Sequence, residues 1–228
     1  MSASDYQRLS ERLGIAIENE LLILALTHRS FAYESGGIPT NERLEFLGDS
    51  VLGLVITEEL FRRYPEMDES RLSPLRSSVV NTRALADIAR SLGIGEFLRI
   101  GKGEEATGGR DKNSILADSF EALIGAIYLD QGAQVAKQSL LGWLTPVIER
   151  TIAHGGGGDA KSALQELVAA SALGTVEYEM SESGPDHNKS FIATVVLAGE
   201  KFAPGAGKSK REAEQVAARN ALETLNHK

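Results

Sequence analysis

Four consecutive glycines at residues 155–158 separate two stretches of sequence that differ in hydrophobic periodicity. Glycine has no side chain to restrict its backbone, so such a run predicts a flexible linker. Before the run, apolar residues recur at helical spacing, as between Leu44 and Val55, and no sustained strand pattern is present. We therefore predict an all-α domain over residues 1–154, a linker over 155–158 and a smaller domain over 159–228.

The smaller domain changes periodicity twice. A helical stretch at 162–173 is followed by alternating apolar residues at 176–180 and 191–197, a turn at 199–201 and a return to helical spacing at 213–225. This order, α-β-β-β-α, is typical of a small α+β domain in which two helices cover one face of a sheet.

Composition narrows the possible chemistry. The chain has no cysteine, which excludes disulfides, thiolate metal sites and cysteine nucleophiles, so a metal would need oxygen or histidine ligands. The sequence has neither a secretory signal pattern nor an apolar run long enough to span a membrane, so we expect a cytoplasmic protein. Its net charge of −8 argues against nucleic-acid binding unless basic residues cluster locally.

Two helical segments carry isolated acidic residues. Glu42, Glu45 and Asp49 are spaced three and four apart, so they fall within an arc of roughly 60° on one helix. A second, almost uncharged segment contains only Asp118 and Glu121, one helical turn apart.

Carboxylates of like sign are costly to bury without compensation, and clusters of oxygen ligands are what Mg²⁺ or Mn²⁺ selects. Two facing helices that share a divalent metal ion would explain both groups of acids. The alternative is solvated or ion-paired acids: Glu42 and Glu45 lie near a helix start, where the dipole favours them, and Arg43 could neutralise them. Spacing alone leaves both possibilities open.

The C-terminal domain contains a basic cluster at a predicted helix start. Ser209 and Glu212 have the spacing of a capping box, which places Lys208, Lys210 and Arg211 at the N-terminal end of that helix. Cations are unfavourable there unless an anion joins them, so the cluster indicates phosphate binding. A solvated basic turn is the alternative.

The segment Asn41-Glu-Arg-Leu-Glu-Phe-Leu-Gly-Asp49 resembles the signature of the ribonuclease III family of double-stranded-RNA endonucleases. Residues 114–125 resemble the second acidic helix of that family, and the resemblance extends from Leu26 to the C-terminal domain. It implies Glu45, Asp118 and Glu121 as metal ligands and Asp49 and Glu121 as the catalytic acids whose loss is most damaging. Glu42, Asp49 and Glu69 would complete the acidic cleft.

Residues 205–215 resemble the second-helix motif of double-stranded-RNA-binding domains, which recognise the shape of the A-form duplex. The resemblance places Gln165 and Glu166 at one minor groove and His187, in the loop 184–189, at the other. Ser209 and the three basic residues Lys208, Lys210 and Arg211 would contact phosphates between the grooves.

The resemblance as a whole implies an endoribonuclease that uses Mg²⁺, or Mn²⁺ in its place, and no organic cofactor. Such an enzyme cuts both strands of double-stranded RNA, leaves 5′-phosphate and 3′-hydroxyl ends, and acts in processing of ribosomal and other RNA. A homodimer through the catalytic domains is also implied, with Phe46 at the interface. The alternative is a non-catalytic RNA-binding protein, which would have no use for five acids facing phosphate.

Overall fold

The computed structural model describes residues 3–153, 160–184 and 189–226. By its internal contacts the chain divides into two compact units, Met1–Arg150 and Thr151–Lys228. The first unit is helical and the second combines helices with an antiparallel sheet, which confirms the predicted fold class. The predicted linker at 155–158 lies outside the described residues.

The first unit is built from α-helices joined by short loops. Asp68 and Asn81 cap two of these helices by accepting hydrogen bonds from the backbone N–H groups of Arg71 and Ala84. The helices are α1 (Ala3–Leu13), α2 (Asn19–Ala25), α3 (Arg29–Glu34), α4 (Glu42–Arg63), α5 (Glu69–Val79), α6 (Thr82–Ser91), α7 (Lys102–Ala106) and α8 (Asn113–Ala153), with 3₁₀ turns at Ile94–Phe97 and Gly109–Asp111.

Helix α8 lies at the centre of this unit. Its N-terminal half carries only two charged residues between Ser114 and Leu129, and Leu116, Phe120, Leu123 and Ile127 are buried by the helices around it. The helix breaks at Gly132, where φ is 81° and ψ is 174°, a backbone conformation that is essentially restricted to glycine. The two acids of the N-terminal half therefore lie on the most enclosed helix of the unit.

The second unit is a four-stranded sheet with two helices. Its elements are α9 (Ala160–Ala170), β1 (Val176–Ser183), β2 (Ser190–Leu197), β3 (Glu200–Lys201), β4 (Gly205–Gly207) and α10 (Lys210–Asn226). Strand β1 pairs with β2 in an antiparallel register, from Val176 opposite Leu197 to Ser183 opposite Ser190. Both β3 and β4 pair with the other side of β2.

The third strand predicted from the sequence is therefore present as two short strands. Pro204 lies between them and has no N–H for a ladder hydrogen bond, and the neighbouring Phe202 is buried in the core. That core is formed by the inward residues of β2, such as Val195, which pack against Leu164 of α9 and Ala217 of α10. In the part of the chain that the structure describes, no helix is both long enough and apolar enough to cross a membrane.

Candidate functional site

Helices α4 and α8 make direct backbone contact where they cross. A Cβ atom at Gly48 would overlap the backbone carbonyl of Glu121, and a Cβ atom at Gly125 would overlap that of Leu44. Only glycine allows so close an approach of two helices. Because Gly48 lies between Glu45 and Asp49, the crossing brings the acids of α4 to those of α8.

Three carboxylates meet beside this crossing. Glu45 of α4 and Asp118 and Glu121 of α8 each offer an oxygen atom, and these oxygens all lie within 4.8 Å of one another. All three residues are partly buried. The predicted grouping of acids from two facing helices is therefore present, in a spacing that one divalent cation can bridge.

The electrostatics of the cluster favour a bound cation. Burial, reinforced by the negative charges of Asp49, Asp118 and Glu45, raises the pKa of Glu121 to about 7. Burial first and then the neighbouring acids also raise the pKa of Glu45. Burial raises the pKa of Asp118, although His28 and Arg29 oppose the shift. Carboxylates that resist ionisation when metal-free, with only oxygen ligands, fit a hard divalent cation such as Mg²⁺.

The remaining predicted acids lie at different distances from the cluster. Glu42 accepts a hydrogen bond from the hydroxyl of Thr40 at 2.9 Å and lies 3.9 Å from the guanidinium of Arg29. Asp49 is exposed, but its negative charge is near enough to Glu121 to raise the pKa of Glu121. Glu69 is exposed at the first residue of α5, and the structure does not place it in the three-carboxylate group.

A cavity of about 460 Å³ adjoins the cluster. Sequence patterns did not indicate several of its residues, because each is a single polar residue in an otherwise ordinary loop or helix end. His28, for example, caps α3 by accepting a hydrogen bond from the backbone N–H of Ser30, and burial lowers its pKa. The lining residues are His28, Arg29, Asn41, Glu42, Glu45, Glu104, Lys112, Ser114, Ile115 and Asp118.

The raised pKa of Glu121 predicts that the metal-free protein loses stability as the pH rises. This pKa is about 7 in the folded protein against 4.5 for an ordinary glutamate, so the folded state holds the proton more tightly. The resulting stabilisation is complete below pH 4.5 and is lost as the pH rises through 7. The glutamine of the Glu121→Gln variant cannot ionise. Relative to the unaltered protein, the free energy of unfolding of this variant should therefore rise by about 1 kcal/mol over this pH window, allowing for solvent screening of a half-buried group.

Urea unfolding in the presence of chelator, followed by the fluorescence of the one tryptophan, Trp143, measures this difference in the first unit. Equal pH dependence of the two proteins would show that Glu121 ionises normally.

The basic cluster of the second unit is exposed at the start of α10. Lys208, Lys210 and Arg211 are all solvent-exposed. The hydroxyl of Ser209 accepts a hydrogen bond from the backbone N–H of Glu212, as the capping box predicts. The Glu212 carboxylate, however, accepts a hydrogen bond from the backbone N–H of Lys208 at 2.7 Å rather than from that of Ser209, so the capping box is shifted by one residue on this side.

The other predicted RNA-contact residues of this unit are on α9 or outside the described residues. Gln165 and Glu166 are exposed on α9, as a contact with a ligand requires. His187 falls within the segment that is not described, so its predicted contact remains a prediction.

Comparison with known proteins gives matches over both units. The protein-family profile described as Ribonuclease-III-like matches residues 18–148, and the profile of the double-stranded RNA binding motif matches residues 160–225. A protein named Ribonuclease 3 from Thermobifida fusca is 55% identical over 225 residues, covering 99% of this chain and 94% of its own. The chain belongs to the ribonuclease III family.

Other members of the ribonuclease III family are also similar to this chain. Ribonuclease 3 of Streptomyces coelicolor is 53% identical over 223 residues, covering 98% of this chain and 81% of its own. The crystal structure of the nuclease domain of the Campylobacter jejuni ribonuclease III has 42% sequence identity and a TM-score of 0.58, covering 64% of this chain and 97% of that one. A second structure of that domain is described as showing flexibility in a region involved in dimer formation.

The family confirms the main functional prediction made from the sequence. The chain is an endoribonuclease with a double-stranded-RNA-binding domain, and the catalytic hypothesis is favoured over a non-catalytic RNA-binding protein.

Proposed function

We propose that this chain cleaves both strands of double-stranded RNA with the help of Mg²⁺, leaving 5′-phosphate and 3′-hydroxyl ends. The observation that carries the proposal is the group of three carboxylates, Glu45, Asp118 and Glu121, whose oxygens lie within 4.8 Å of one another. A protein that only binds RNA gains nothing from acids directed at phosphate. Mn²⁺, which accepts the same oxygen ligands, is expected to substitute for Mg²⁺.

In this proposal Glu45, Asp118 and Glu121 hold the metal, and Asp49 and Glu42 add negative charge beside them. When bound, a divalent cation lowers the pKa of a water nucleophile and stabilises charge on the phosphoryl oxygens. The glycine crossing holds the two helices so that the carboxylates need no rearrangement. No other nucleophile is required of the chain, because water supplies the attacking oxygen.

Incubation of a long RNA duplex with the protein tests this proposal directly. We expect discrete short products with Mg²⁺, and intact duplex when a chelator is added or Ca²⁺ replaces Mg²⁺. Single-stranded RNA and duplex DNA are the matched substrate controls and should remain uncut. End-labelling should identify phosphate on the 5′ ends of the products. Cleavage that persists in chelator would contradict the proposed metal requirement.

We also propose that the nuclease units form a homodimer. Helix α4 exposes an apolar stripe of Phe46, Leu54 and Phe61, which are 78%, 71% and 71% exposed. Spacings of eight and seven residues place these side chains on one face of the helix. Exposed apolar groups of this size in a row are typical of protein interfaces. The exposure of Leu54, together with that of the two phenylalanines, supports an interface on this side of the helix.

Phe46→Glu should convert the dimer to a monomer. A charged side chain within an apolar interface loses solvation when the interface forms, which disfavours association by several kcal/mol in the absence of a partner charge. Light scattering or sedimentation gives the mass. Leu173→Glu, which alters an exposed apolar residue of the second unit, is the control and should leave the mass unchanged. If the Phe46→Glu protein remains dimeric, this stripe is not part of the interface.

The start of α10 is proposed to bind RNA phosphates. The exposed Lys208, Lys210 and Arg211 and the free N–H groups of the helix end together favour an anion. On the basis of the family resemblance, Gln165, Glu166 and His187 are proposed as minor-groove contacts.

Glu69 is proposed only as an additional acid near the cleft. The cytoplasm, where precursor ribosomal and messenger RNAs are found in bacteria, is the proposed location.

Lys210→Ala should weaken duplex binding in a salt-dependent and sequence-independent manner. Each phosphate contact releases roughly 0.9 counterion, so the slope of log K against log salt should flatten by about one unit. Filter binding in Ca²⁺ at several salt concentrations, with two duplexes of unrelated sequence, measures this slope. The control is Ser209→Ala, which removes the helix cap and should cost about 1 kcal/mol of stability with the salt slope of the folded protein unchanged. Selective weakening for one duplex would argue against a phosphate contact.

A further inference from the structure

Three polar side chains are fully buried among the residues that the structure describes: Thr27, Asn41 and Ser119. Two of them are satisfied, because the hydroxyls of Thr27 and Ser119 each donate to a backbone carbonyl four residues earlier, at 2.7 Å. The Nδ2 atom of Asn41 has no hydrogen-bond partner, although the residue is only 2% exposed. A buried amide donor without an acceptor is unfavourable and therefore uncommon.

The side chain of Asn41 has no evident structural task. The residue precedes α4, but its side chain makes no capping hydrogen bond. Its position is fixed by its backbone, which donates to Thr27 O at 2.9 Å and accepts from the N–H of Glu45 at 2.9 Å. Any residue other than proline could make these backbone bonds. The unsatisfied amide thus lowers the stability of the folded state without a compensating gain.

The location of Asn41 indicates what the amide could bind. Asn41 lines the cavity of about 460 Å³ that also contains Glu45 and Asp118 of the metal cluster. Arg29 lines the same cavity, with a side chain that is 73% exposed and a guanidinium that is only loosely paired, at 3.9 Å, with Glu42. A donor amide and a cation next to a metal site are complementary to an oxygen atom that carries negative charge.

Phosphate is the oxygen ligand that this cavity suits. Its other cation, Lys112, is already bound to Glu104 at 2.5 Å and to Thr107 at 2.9 Å. Among the lining residues no Phe, Tyr or Trp is present on which a base could stack, and the one aromatic ring, that of His28, is held by hydrogen bonds with Ser30. Donors without stacking surfaces contact the nucleic-acid backbone rather than its bases.

We propose that Asn41 and Arg29 bind a phosphate of the RNA strand being cut, next to the phosphate at the metal cluster. The Asn41 amide donates to one phosphate oxygen and the Arg29 guanidinium to another. The two residues thereby fix the position of the strand relative to the carboxylates. This inference rests on the proposed function, and it assigns Asn41 as a positioning residue rather than a group that reacts.

Asn41→Leu tests the inference, because leucine has nearly the shape of asparagine without its polar atoms. Removing an unsatisfied buried amide should leave the denaturation midpoint unchanged or raise it. Cleavage of duplex RNA at substrate concentrations below KM should nevertheless fall at least tenfold, with duplex affinity in Ca²⁺ reduced in parallel. Asn41→Ala, which is smaller, provides a second variant if leucine prevents folding.

Thr27→Val is the matched control, since it alters a neighbouring buried polar residue that does have partners. It leaves Arg99 Nη1, now 3.1 Å from the Thr27 hydroxyl, without that acceptor. We expect a lower denaturation midpoint and normal cleavage per folded molecule. Arg29→Gln should resemble Asn41→Leu in cleavage, and it should also flatten the salt dependence of binding by about one unit.

Three results are distinguishable. If the unaltered protein does not cut duplex RNA with Mg²⁺, the proposed function fails. If it cuts and Asn41→Leu cuts equally well, the inference about Asn41 is wrong and the proposed function stands. If Asn41→Leu loses stability and cuts normally per folded molecule, the side chain is structural and the inference is again wrong.

Discussion

Glu121→Gln is expected to abolish cleavage of duplex RNA while the protein still binds the duplex. Glutamine has the shape of glutamate but lacks the anionic oxygen, so the cluster with Glu45 and Asp118 loses a metal ligand without a change in volume. The cleavage rate at saturating duplex should fall on the order of a thousandfold or more, because the loss affects the step that the metal assists. Single-turnover kinetics with Mg²⁺ and filter binding with Ca²⁺ measure the two properties separately.

The control for this variant is Glu20→Gln, which neutralises an exposed acid in the first turn of α2. Its cleavage rate should equal that of the unaltered protein. Partial recovery of Glu121→Gln at high Mn²⁺ concentration would identify the defect as weakened metal binding. Ordinary cleavage by Glu121→Gln at low metal concentration would show that the three-carboxylate group is not the metal site.

Gly48→Ala is expected to unfold the nuclease unit or destabilise it by about 4 kcal/mol or more. In a solvated helix this substitution would stabilise by about 1 kcal/mol, because alanine is the better helix former. At Gly48 the added methyl group overlaps the backbone of Glu121, and a backbone carbonyl cannot rotate away as a side chain can. The helices must therefore separate, and the carboxylates separate with them.

Gly53→Ala on the same helix is the control, because a Cβ atom there meets nothing within 4 Å. It should be as stable as the unaltered protein or more stable, and fully active. Denaturant unfolding followed by Trp143 fluorescence gives the stability of both variants, and cleavage of duplex RNA gives their activity. If Gly48→Ala is as stable as Gly53→Ala, the close crossing of α4 and α8 does not exist in solution.

The acids of the three-carboxylate group could be predicted from the sequence because their pattern is local. Glu45 and Asp49 are the only charged residues between Leu44 and Thr57, and Asp118 and Glu121 repeat that pattern on a second helix. Unpaired acids on apolar helices require an explanation, and a shared metal is a simple one. Family resemblance added Glu69, which the structure leaves exposed at the start of α5.

The contacts between distant segments could not be predicted in the same way. Gly48 and Gly125 look like ordinary helix glycines in the sequence, and only the three-dimensional crossing explains them. Asn41 likewise looked like a simple helix start, since whether its amide has a partner depends on residues far along the chain. The division of the third strand into β3 and β4 also depends on how Phe202 packs in the core.

The crossing of α4 and α8 also determines how the site responds to heat. Where side chains hold two helices together, their rotamers can change as the temperature rises, and a site between them can loosen gradually. At Gly48 and Gly125 two backbones touch, and a helical backbone has no rotamers to change. The carboxylates keep their spacing until the helices part, which is a step of cooperative unfolding. We therefore expect the proposed metal site and the fold of the nuclease unit to be lost at one temperature.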